Sequence, residues 1–219
     1  EKHRLEPYFN FGGRKFFNRM KIDWYKHYLE KGKLVLTKES LKENFKQDRA
    51  FLKILRKFIP PPAKVLEAGC GLGRTCISMS LKGYRVTAVD IDERMLRLAR
   101  KSAKNFSQKI IFKELDFFNL KKNFKKNTFN VITHQGVLEH YPVVKIRKAI
   151  DVQLAVSPFI IFSVPVNSKH NKKYFNDRIY RNLWSPDFWT KNVLKKYKVV
   201  YHKVVRDRKD SLVIVLKSI

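Results

Sequence analysis

The chain has 219 residues, of which 44% are hydrophobic, and a formal charge of +29. This length suits one domain with an extension, and no apolar run approaches the roughly 20 residues that a bilayer-spanning helix needs. The printed sequence has no secretory leader pattern, and two cysteines, Cys70 and Cys76, are too few for a disulfide framework. We therefore expect a cytoplasmic protein without membrane insertion. The positive charge runs along the whole chain, and it either attracts polyanions through a basic surface or reflects lysines spread for solubility.

Two helices are predicted in the first 60 residues. Aromatic and apolar side chains recur every fourth position along residues 14–30, the spacing of one helical face. A second helix is predicted over residues 40–59, with Ser40 and Glu43 at capping-box spacing and three consecutive prolines after it. Such stripes are typical of core packing, but they can also cap an active site because they precede the main domain. We predict an N-terminal helical extension or cap over residues 1–60.

Strands and helices alternate from residue 61 to residue 219. The predicted strands are residues 65–68, 84–89, 109–115, 129–134 and 158–164. The predicted helices are residues 74–82, 93–106, 143–155 and 185–196, and the final elements form a hairpin of residues 197–205 and 212–217. Alternation of this kind indicates a mostly parallel sheet with helices on both faces, to which the hairpin adds an antiparallel strand. The sequence thus predicts one α/β domain over residues 61–219.

Three glycines follow the first predicted strand at every second position, as Gly69, Gly71 and Gly73. Glycine lets the backbone turn sharply and approach a ligand, because it has no Cβ. The run also lies where the N-terminus of a helix can face a bound molecule. A dinucleotide-binding fold would place its third glycine one position later, where this chain has Arg74. The spacing points away from NAD and towards another nucleoside-bearing cofactor.

Acidic or polar side chains stand at the predicted carboxyl ends of four strands. They are Glu67, Asp90, Asp116 and the pair His134 and Gln135. Ligands of open α/β sheets bind beyond these ends, where the strand order reverses. An acid after the second strand can accept hydrogen bonds from both hydroxyls of a ribose. Each residue alone is better explained as a strand-end residue that caps the next helix, but the ordered set with the glycines favours a nucleoside site.

Five segments of the chain resemble the class I S-adenosylmethionine-dependent methyltransferases, in particular the type 11 subgroup that includes ubiquinone and menaquinone biosynthesis enzymes. The segments are residues 65–73 (VLEAGCGLG), 86–92 (VTAVDID), 114–117 (ELDF), 129–140 (FNVITHQGVLEH) and 160–165 (IIFSVP). The resemblance implies a Rossmann-like seven-stranded sheet in the order 3-2-1-4-5-7-6 with strand 7 antiparallel. It also implies a cofactor, S-adenosyl-L-methionine, and methyl transfer by in-line displacement.

The resemblance further implies which residues hold the cofactor. Glu67 and the backbone of residues 69–73, including Cys70, would hold its methionine part. Asp90 would bind the ribose, and Ile91 would pack on the adenine. The remaining implied contacts are Asp116 and Phe117 at the adenine, and His134 and Gln135 nearest the sulfonium and the acceptor.

A general base is needed only where the acceptor must first lose a proton, and a neutral histidine suits that task. His134 is the first candidate because it ends the fourth strand, and His170 and Tyr174 in the loop of residues 165–184 are further candidates. For His170 the favoured interpretation is an exposed loop residue. Some ubiquinone-type relatives bind a metal with two glutamates and the histidine of a Glu-x-x-Glu-His run. The first of these positions is a glycine here, so we predict no metal site and interpret His140 as a structural residue.

The acceptor is left open between a small molecule or protein side chain, which is favoured slightly, and RNA. The Asn/Asp-Pro-Pro-aromatic run with which many nucleic-acid amino-methyltransferases grip a base is missing after the fourth strand. Residues 167–175, in which lysines stand beside aromatic residues, suit either phosphate contact with stacking or a lid over a small acceptor. A second alternative is a partner subunit that binds the cofactor without transferring methyl.

Overall fold

The computed structural model describes residues 22–32, 34, 36–175, 179–206 and 209–219, with residues 173–175 described by their backbone alone. Among these residues, three helices precede the sheet, namely α1 (Trp24–Glu30), α2 (Lys38–Gln47) and α3 (Arg49–Phe58). The part of the first predicted helix that precedes residue 22 lies outside the described residues. Within the described range that helix begins after Asp23, whose carboxylate accepts a hydrogen bond from the Lys26 N–H.

The prediction of one helix over residues 40–59 is wrong, because two helices meet at Asp48. The backbone of Asp48 (φ −95°, ψ 0°) leaves the helical region there. The predicted cap is also displaced by three residues. Thr37 is the N-cap of α2, and its hydroxyl and that of Ser40 bond reciprocally to each other's backbone N–H. The Asp48 carboxylate accepts hydrogen bonds from Thr75 and Gln135 at this break. Both donors lie far away in the chain, so the apolar periodicity of the sequence could not indicate these bonds.

The strands among the described residues form one seven-stranded sheet. They are β1 (Lys64–Ala68), β2 (Arg85–Asp90), β3 (Ile111–Glu114), β4 (Val131–Gln135), β5 (Phe159–Pro165), β6 (Lys198–Arg206) and β7 (Asp210–Lys217). The order is β3-β2-β1-β4-β5-β7-β6. Strands β1 to β5 pair in parallel, whereas β7 is antiparallel to both β5 and β6. The predicted sheet order and the antiparallel strand are confirmed.

The helices that follow β1 cover both faces of the sheet. They are α4 (Arg74–Leu81), α5 (Glu93–Asn105), α6 (Leu120–Asn123), α7 (Val143–Leu154) and α8 (Pro186–Phe188), with 3₁₀ turns at Phe117–Asn119, Leu138–His140 and Lys169–Phe175. The predicted helix over residues 185–196 is instead the short α8, capped by Ser185, followed by one π-helical turn, Trp189–Val193. Among the described residues, no helix has both the length and the apolar character that a bilayer crossing requires.

Successive residues of each strand point to opposite faces, so the sheet has two cores. Leu66 and Phe162 pack on one face with Trp189. On the other face Val65 packs with Phe51 of α3. The α3 helix is therefore part of the domain core, whereas α1 buries none of its residues. The chain runs outward from β1 to β3 on one side and from β4 on the other, which places the reversal of strand order between β1 and β4.

Candidate functional site

The segment after β1 is a tight bend built on three glycines. Gly69, Gly71 and Gly73 have φ values of 69°, 53° and 72°, the left-handed region that favours glycine. The N–H groups of Gly69 and Cys70 both donate to the carbonyl of Val89, at 2.8 and 3.0 Å, which ties the bend to the end of β2. A Cβ at Gly73 would lie 3.1 Å from the Cβ of Ala99 on α5. The bend therefore needs glycine both for its backbone angles and for its close approach to α5.

Asp90, the last residue of β2, holds this bend in place. Its Oδ2 accepts a hydrogen bond from the Gly71 N–H at 2.8 Å, and its Oδ1 accepts one from the Asp92 N–H at 3.1 Å. Burial raises the pKa of Asp90, and these two backbone bonds oppose the rise. Each carboxylate oxygen retains a second lone pair for a ligand. The next side chain, Ile91, is 69% exposed, so a large apolar surface lies uncovered beside the carboxylate.

The end of β3 brings a second acid to the same edge. Asp116 Oδ1 accepts the Phe118 N–H at 2.9 Å and so caps the 3₁₀ turn of Phe117–Asn119. Phe117 is buried, with its ring 5.8 Å from that of Tyr141. Burial raises the pKa of Tyr141 to about 12, and the charges of Asp116 and Asp90 add to the rise. The predicted nucleoside residues are thus brought together beyond β2 and β3, with Tyr141 as a neighbour that the sequence did not indicate.

Glu67, at the end of β1, is buried and hydrogen-bonded to the hydroxyl of Thr133 on β4. Burial raises the pKa of Glu67 to about 8, the bond from Thr133 opposes the rise, and the charge of Asp48 adds to it. A carboxyl group with this pKa keeps its proton at neutral pH. Glu67 therefore sits at the predicted place in a largely neutral form, between the two strands where the order of the sheet reverses.

Gln135, at the end of β4, lies at the centre of a polar network. Its Nε2 donates to Asp48 Oδ1 and to Thr75 Oγ1, both at 3.2 Å, and its Oε1 accepts from Ser163 Oγ at 3.2 Å. Thr75 Oγ1 also donates to Asp48 Oδ2 at 3.3 Å. The network joins β4, β5, the first turn of α4 and the junction of α2 with α3. Sequence analysis identified Gln135 but missed Asp48. In the predicted helix Asp48 reads as an ordinary polar residue on the solvent-exposed face, and nothing in the helical pattern distinguishes it as a residue of the site.

A cavity of about 240 Å³ lies against this network, roofed by the N-terminal helices. It is lined by Tyr28, Asn44, Gln47, Asp48, Phe51, Arg74, Thr75, Gln135, Ser163, Val205, Lys209, Ser211 and Val213. Asn44 is only 5% exposed, and its Nδ2 has no hydrogen-bond partner in the part of the chain that the structure describes. A buried amide without a partner costs free energy unless a ligand or water satisfies it, so this cavity is suited to a polar occupant.

The structure does not bring His134 to this cleft. Because adjacent residues of a strand face opposite sides, His134 points away from the face that carries Gln135. Its ring is fully buried and stacked on Phe162, with centroids 5.1 Å apart. Burial lowers the pKa of His134 to about 3. A histidine that is so shielded cannot meet an acceptor, and the geometry contradicts its predicted place beside the sulfonium as general base.

The remaining residues singled out from the sequence lie in other parts of the structure. His170 Nδ1 lies 3.1 Å from Asp210 Oδ2, and the other oxygen of that carboxylate, Oδ1, pairs with Arg206, so this histidine is tied to the closing hairpin. The side chain of Tyr174 lies outside the described residues. Both thiols, Cys70 and Cys76, are unbridged, and burial raises the pKa of Cys76. Among the described residues no three His, Cys, Asp or Glu side chains could hold a metal ion together, and the absence of a metal stays a prediction.

Helix α1 lies over the cleft and contacts three of its walls. Asp23 accepts two hydrogen bonds from the Arg94 guanidinium, at 2.9 and 3.2 Å, at the start of α5. The ring of Trp24 meets that of His140 edge-on, with centroids 5.0 Å apart. The guanidinium of Arg74 lies over the ring of Tyr28, 5.9 Å from its centroid. The helix thus bridges the chain segments that follow β1, β2 and β4.

This sheet order, with a glycine bend after β1 and a carboxylate at the end of β2, defines the Rossmann-like class I methyltransferase fold. Residues 65–156 match the family model described as "Methyltransferase domain". Residues 65–156 are therefore similar to a methyltransferase domain, in agreement with the sequence resemblance to the class I S-adenosylmethionine-dependent methyltransferases. The matched range runs from β1 to Val156, three positions before the first residue of β5, and it leaves out α1, α2, α3, β5, α8 and the hairpin.

Curated relatives and solved structures agree with this assignment. A ubiquinone biosynthesis O-methyltransferase from Idiomarina loihiensis is 35% identical over 79 residues, which cover 36% of this chain and 32% of that protein. An S-adenosyl-L-methionine-dependent Diels-Alderase from Talaromyces variabilis is 35% identical over 65 residues, covering 28% and 22%. The chain thus spans about a fifth to a third of the length of these relatives. The crystal structure of the Burkholderia thailandensis 1,6-didemethyltoxoflavin-N1-methyltransferase has the same fold (TM-score 0.69, 19% identity, 95% and 92% of the two chains).

Proposed function

We propose that this protein binds S-adenosyl-L-methionine and transfers its methyl group to a small-molecule acceptor by in-line displacement. The observation that carries the proposal is the Asp90 carboxylate, which clamps the glycine bend through Gly71 and lies beside the exposed Ile91. Its remaining lone pairs suit the two hydroxyls of a ribose, and Ile91 offers an apolar face to the adenine. Asp116 and Phe117 then stand at the far edge of the adenine.

The polar cavity suits the amino-acid half of the cofactor. That half carries an ammonium and a carboxylate group, which call for groups of opposite charge within one small space. The cavity has the carboxylate of Asp48 and the guanidinium of Arg74 among its lining residues. Thr75 lies in the first turn of α4, an eight-residue helix whose N-terminal N–H groups favour an anion. In this arrangement Glu67, the bend that contains Gly69, Cys70 and Gly73, and Gln135 surround the methionine part.

A small acceptor is supported by how closely the site is covered. Helix α1 crosses the cleft above the ends of three strands, where it contacts Arg94, His140 and Arg74 and so limits the space left for an acceptor. The ubiquinone and toxoflavin enzymes to which this chain is similar are named for small-molecule acceptors. Of the extension predicted over residues 1–60, we propose that α1 and α2 cap the cleft, whereas α3 packs in the core of the domain of residues 61–219. Two unbridged thiols agree with a cytoplasmic location.

A second candidate is an enzyme that uses the bound cofactor without transferring its methyl group. The observation that favours it is the similarity to a protein named as an S-adenosyl-L-methionine-dependent Diels-Alderase. The glycine bend and Asp90 serve both candidates, because both require the cofactor to bind.

The experiment combines a binding measurement with an acceptor search. Calorimetry should detect binding of S-adenosylhomocysteine, and cofactor labelled in its methyl group should then be incubated with a metabolite extract, a protein extract and total RNA. Label in the metabolite pool is the expected result. Label in RNA or in protein would show that the acceptor is RNA or a protein side chain instead of a small molecule. Binding of the cofactor without label in any fraction would favour the second candidate. No binding at all would refute both.

A further inference from the structure

The turn after β4 carries a histidine whose two ring nitrogens have different surroundings. His140 Nδ1 lies 2.7 Å from the carbonyl oxygen of Tyr180. A carbonyl oxygen only accepts hydrogen bonds, so Nδ1 carries the proton and Nε2 presents its lone pair. Within the described part of the chain Nε2 has no hydrogen-bond donor. Glu139 Oε1 lies 3.8 Å away, which is too far for a hydrogen bond and offers only a second acceptor.

Glu139 is a buried residue, 1% exposed, and one of its two carboxylate oxygens, Oε2, also lacks a donor among the residues that the structure describes. A buried acceptor left without a donor is costly. Two acceptors, the Nε2 of His140 and the carboxyl group of Glu139, therefore face each other without a hydrogen between them. A bound molecule with a hydrogen on its reacting atom would supply it.

The imidazole of His140 is held firmly in this position. Asn182 donates its backbone N–H to the Glu139 carbonyl at 2.8 Å and its side-chain N–H to the Tyr141 carbonyl at 2.6 Å. The Tyr180 hydroxyl in turn donates to Asn182 Oδ1 at 2.7 Å, which fixes the segment whose carbonyl orients the histidine. Trp24 of α1 packs edge-on against the ring from the other side. A group that is placed before its ligand arrives loses little entropy when it acts.

We propose that His140 is the general base of the transfer and that the acceptor carries its proton on the reacting atom, as a hydroxyl or an N–H group does. The inference rests on the proposed function. The lone pair of the acceptor atom attacks the methyl carbon, and the S–CH₃ bond breaks with its electron pair left on the now uncharged sulfur. The acceptor proton passes to His140 Nε2 and later to solvent. The imidazolium that forms faces the Glu139 carboxyl group at 3.8 Å, within reach of an ion pair.

This assignment replaces His134 and changes the interpretation of His140 as a structural residue. It also narrows the acceptor class. Tertiary amines and thioethers have no proton to lose and need no base, so they would leave the lone pair of His140 without a role. Phenols and other hydroxyl compounds, and primary or secondary amines in their protonated or amide forms, are the acceptors that a positioned base accelerates.

The test compares variants that separate the two ring nitrogens. His140→Asn keeps an N–H group near the place of Nδ1, where it can still donate to the Tyr180 carbonyl, and removes Nε2. We expect its kcat for transfer to the labelled acceptor pool to fall about 100- to 10,000-fold, the usual contribution of a general base, while its affinity for S-adenosylhomocysteine stays within about twofold. His202→Asn, which changes an exposed histidine on β6, is the matched control and should keep the wild-type rate.

Imidazole rescue supplies the decisive readout. His140→Ala leaves a space for added imidazole, and we expect imidazole to raise the kcat of this variant at least tenfold but not that of His140→Asn. Wild-type kcat in His140→Asn would overturn the inference, and so would a deficit in His140→Ala that imidazole cannot repair. Failure of the unmodified chain to transfer any methyl group, although it binds the cofactor, would instead refute the proposed function and remove the inference with it.

Discussion

The two halves of the cleft are built in different ways. At the ends of β1 to β3 the site is local, because a glycine bend and one carboxylate are joined through backbone N–H groups of Gly71 and Asp92. Beyond β4 the site is assembled from distant segments, in which Asp48 comes from the N-terminal helices, Ser163 from β5 and Tyr180 from the loop before α8. Backbone geometry fixes the first half whatever its neighbours are. The second half changes whenever one of its contributing segments changes, and it includes both the cavity proposed for the amino-acid group of the cofactor and the surroundings of His140, the proposed base.

The largest effect is expected at Glu67, which joins the halves through its bond to Thr133. Its pKa is about 8 in the folded chain against an ordinary value of 4.5, so the unfolded chain loses this proton first as pH rises. The free energy of unfolding should therefore fall between about pH 4.5 and pH 8, by on the order of 5 kcal/mol. Glu67→Gln should lack this decline in denaturant titrations over the same range. Parallel curves for the two proteins would show that Glu67 ionises normally.

The cofactor half is tested next by Asp90→Ala. This substitution removes the acceptor of two backbone bonds and the proposed ribose contact, each a charge-assisted bond that contributes roughly 1.5–3 kcal/mol. The affinity for S-adenosylhomocysteine should fall about 100-fold or more in calorimetry. Asp92→Asn is the matched control, because it keeps the cap of α5 and lies outside the proposed ribose contact. An equal loss in both variants would indicate collapse of the bend rather than a lost ligand contact.

The acceptor-side half is linked to the cofactor through Asp48, which can be tested with two ligands. S-adenosylhomocysteine has the amino-acid group, whereas 5′-methylthioadenosine lacks it. Asp48→Asn should weaken the first about tenfold, the value of one buried charged contact, and leave the second unchanged. If both ligands weaken equally, Asp48 acts on the structure of the cleft. If neither weakens, the cavity holds the acceptor instead of the amino-acid group.

The smallest effect is expected at Ile91, where only apolar contact is at stake. Ile91→Ala should weaken S-adenosylhomocysteine and 5′-methylthioadenosine alike by about threefold to tenfold, since the lost methyl groups bury a few tens of Å² against adenine. Val144→Ala supplies the comparison, because Val144 is similarly exposed at 77% and has no proposed contact with the ligand. Unchanged affinity in Ile91→Ala would place the adenine elsewhere along β2.

The difference between local and long-range contacts also determines which parts of the fold and the site could be predicted from the sequence. The alternation of strands and helices, the glycine bend and Asp90 follow from local patterns, and so they were predictable, whereas the order of the seven strands was implied by the family resemblance. His134 was misjudged because strand ends tell which residues reach the edge but not which face each one takes. Asp48 was missed because a break in an apolar helical stripe is accompanied by hydrogen bonds to Thr75 and Gln135, which lie far away in the chain.

His140 shows another kind of limit. Its role depends on the carbonyl of Tyr180, forty residues away, which selects the ring nitrogen that keeps its lone pair. No spacing rule connects these two positions, because the segment of residues 179–184 has no regular secondary structure. The tautomer of a histidine in such an irregular segment can be assigned only from the folded structure, which gives the position of the carbonyl that accepts its N–H.

Helix α1 has seven residues, none of them buried, and its ionic link to the domain is the solvent-exposed contact of Asp23 with Arg94. Pairs of that kind weaken as dissolved salt shields the charges, whereas the backbone clamp at Asp90 does not depend on them. Rising ionic strength should therefore speed the entry and release of ligands at the cleft, while the glycine bend held by Asp90 keeps its conformation. The turnover rate would then depend on ionic strength through helix α1, which covers the cleft, and not through the cofactor-binding bend.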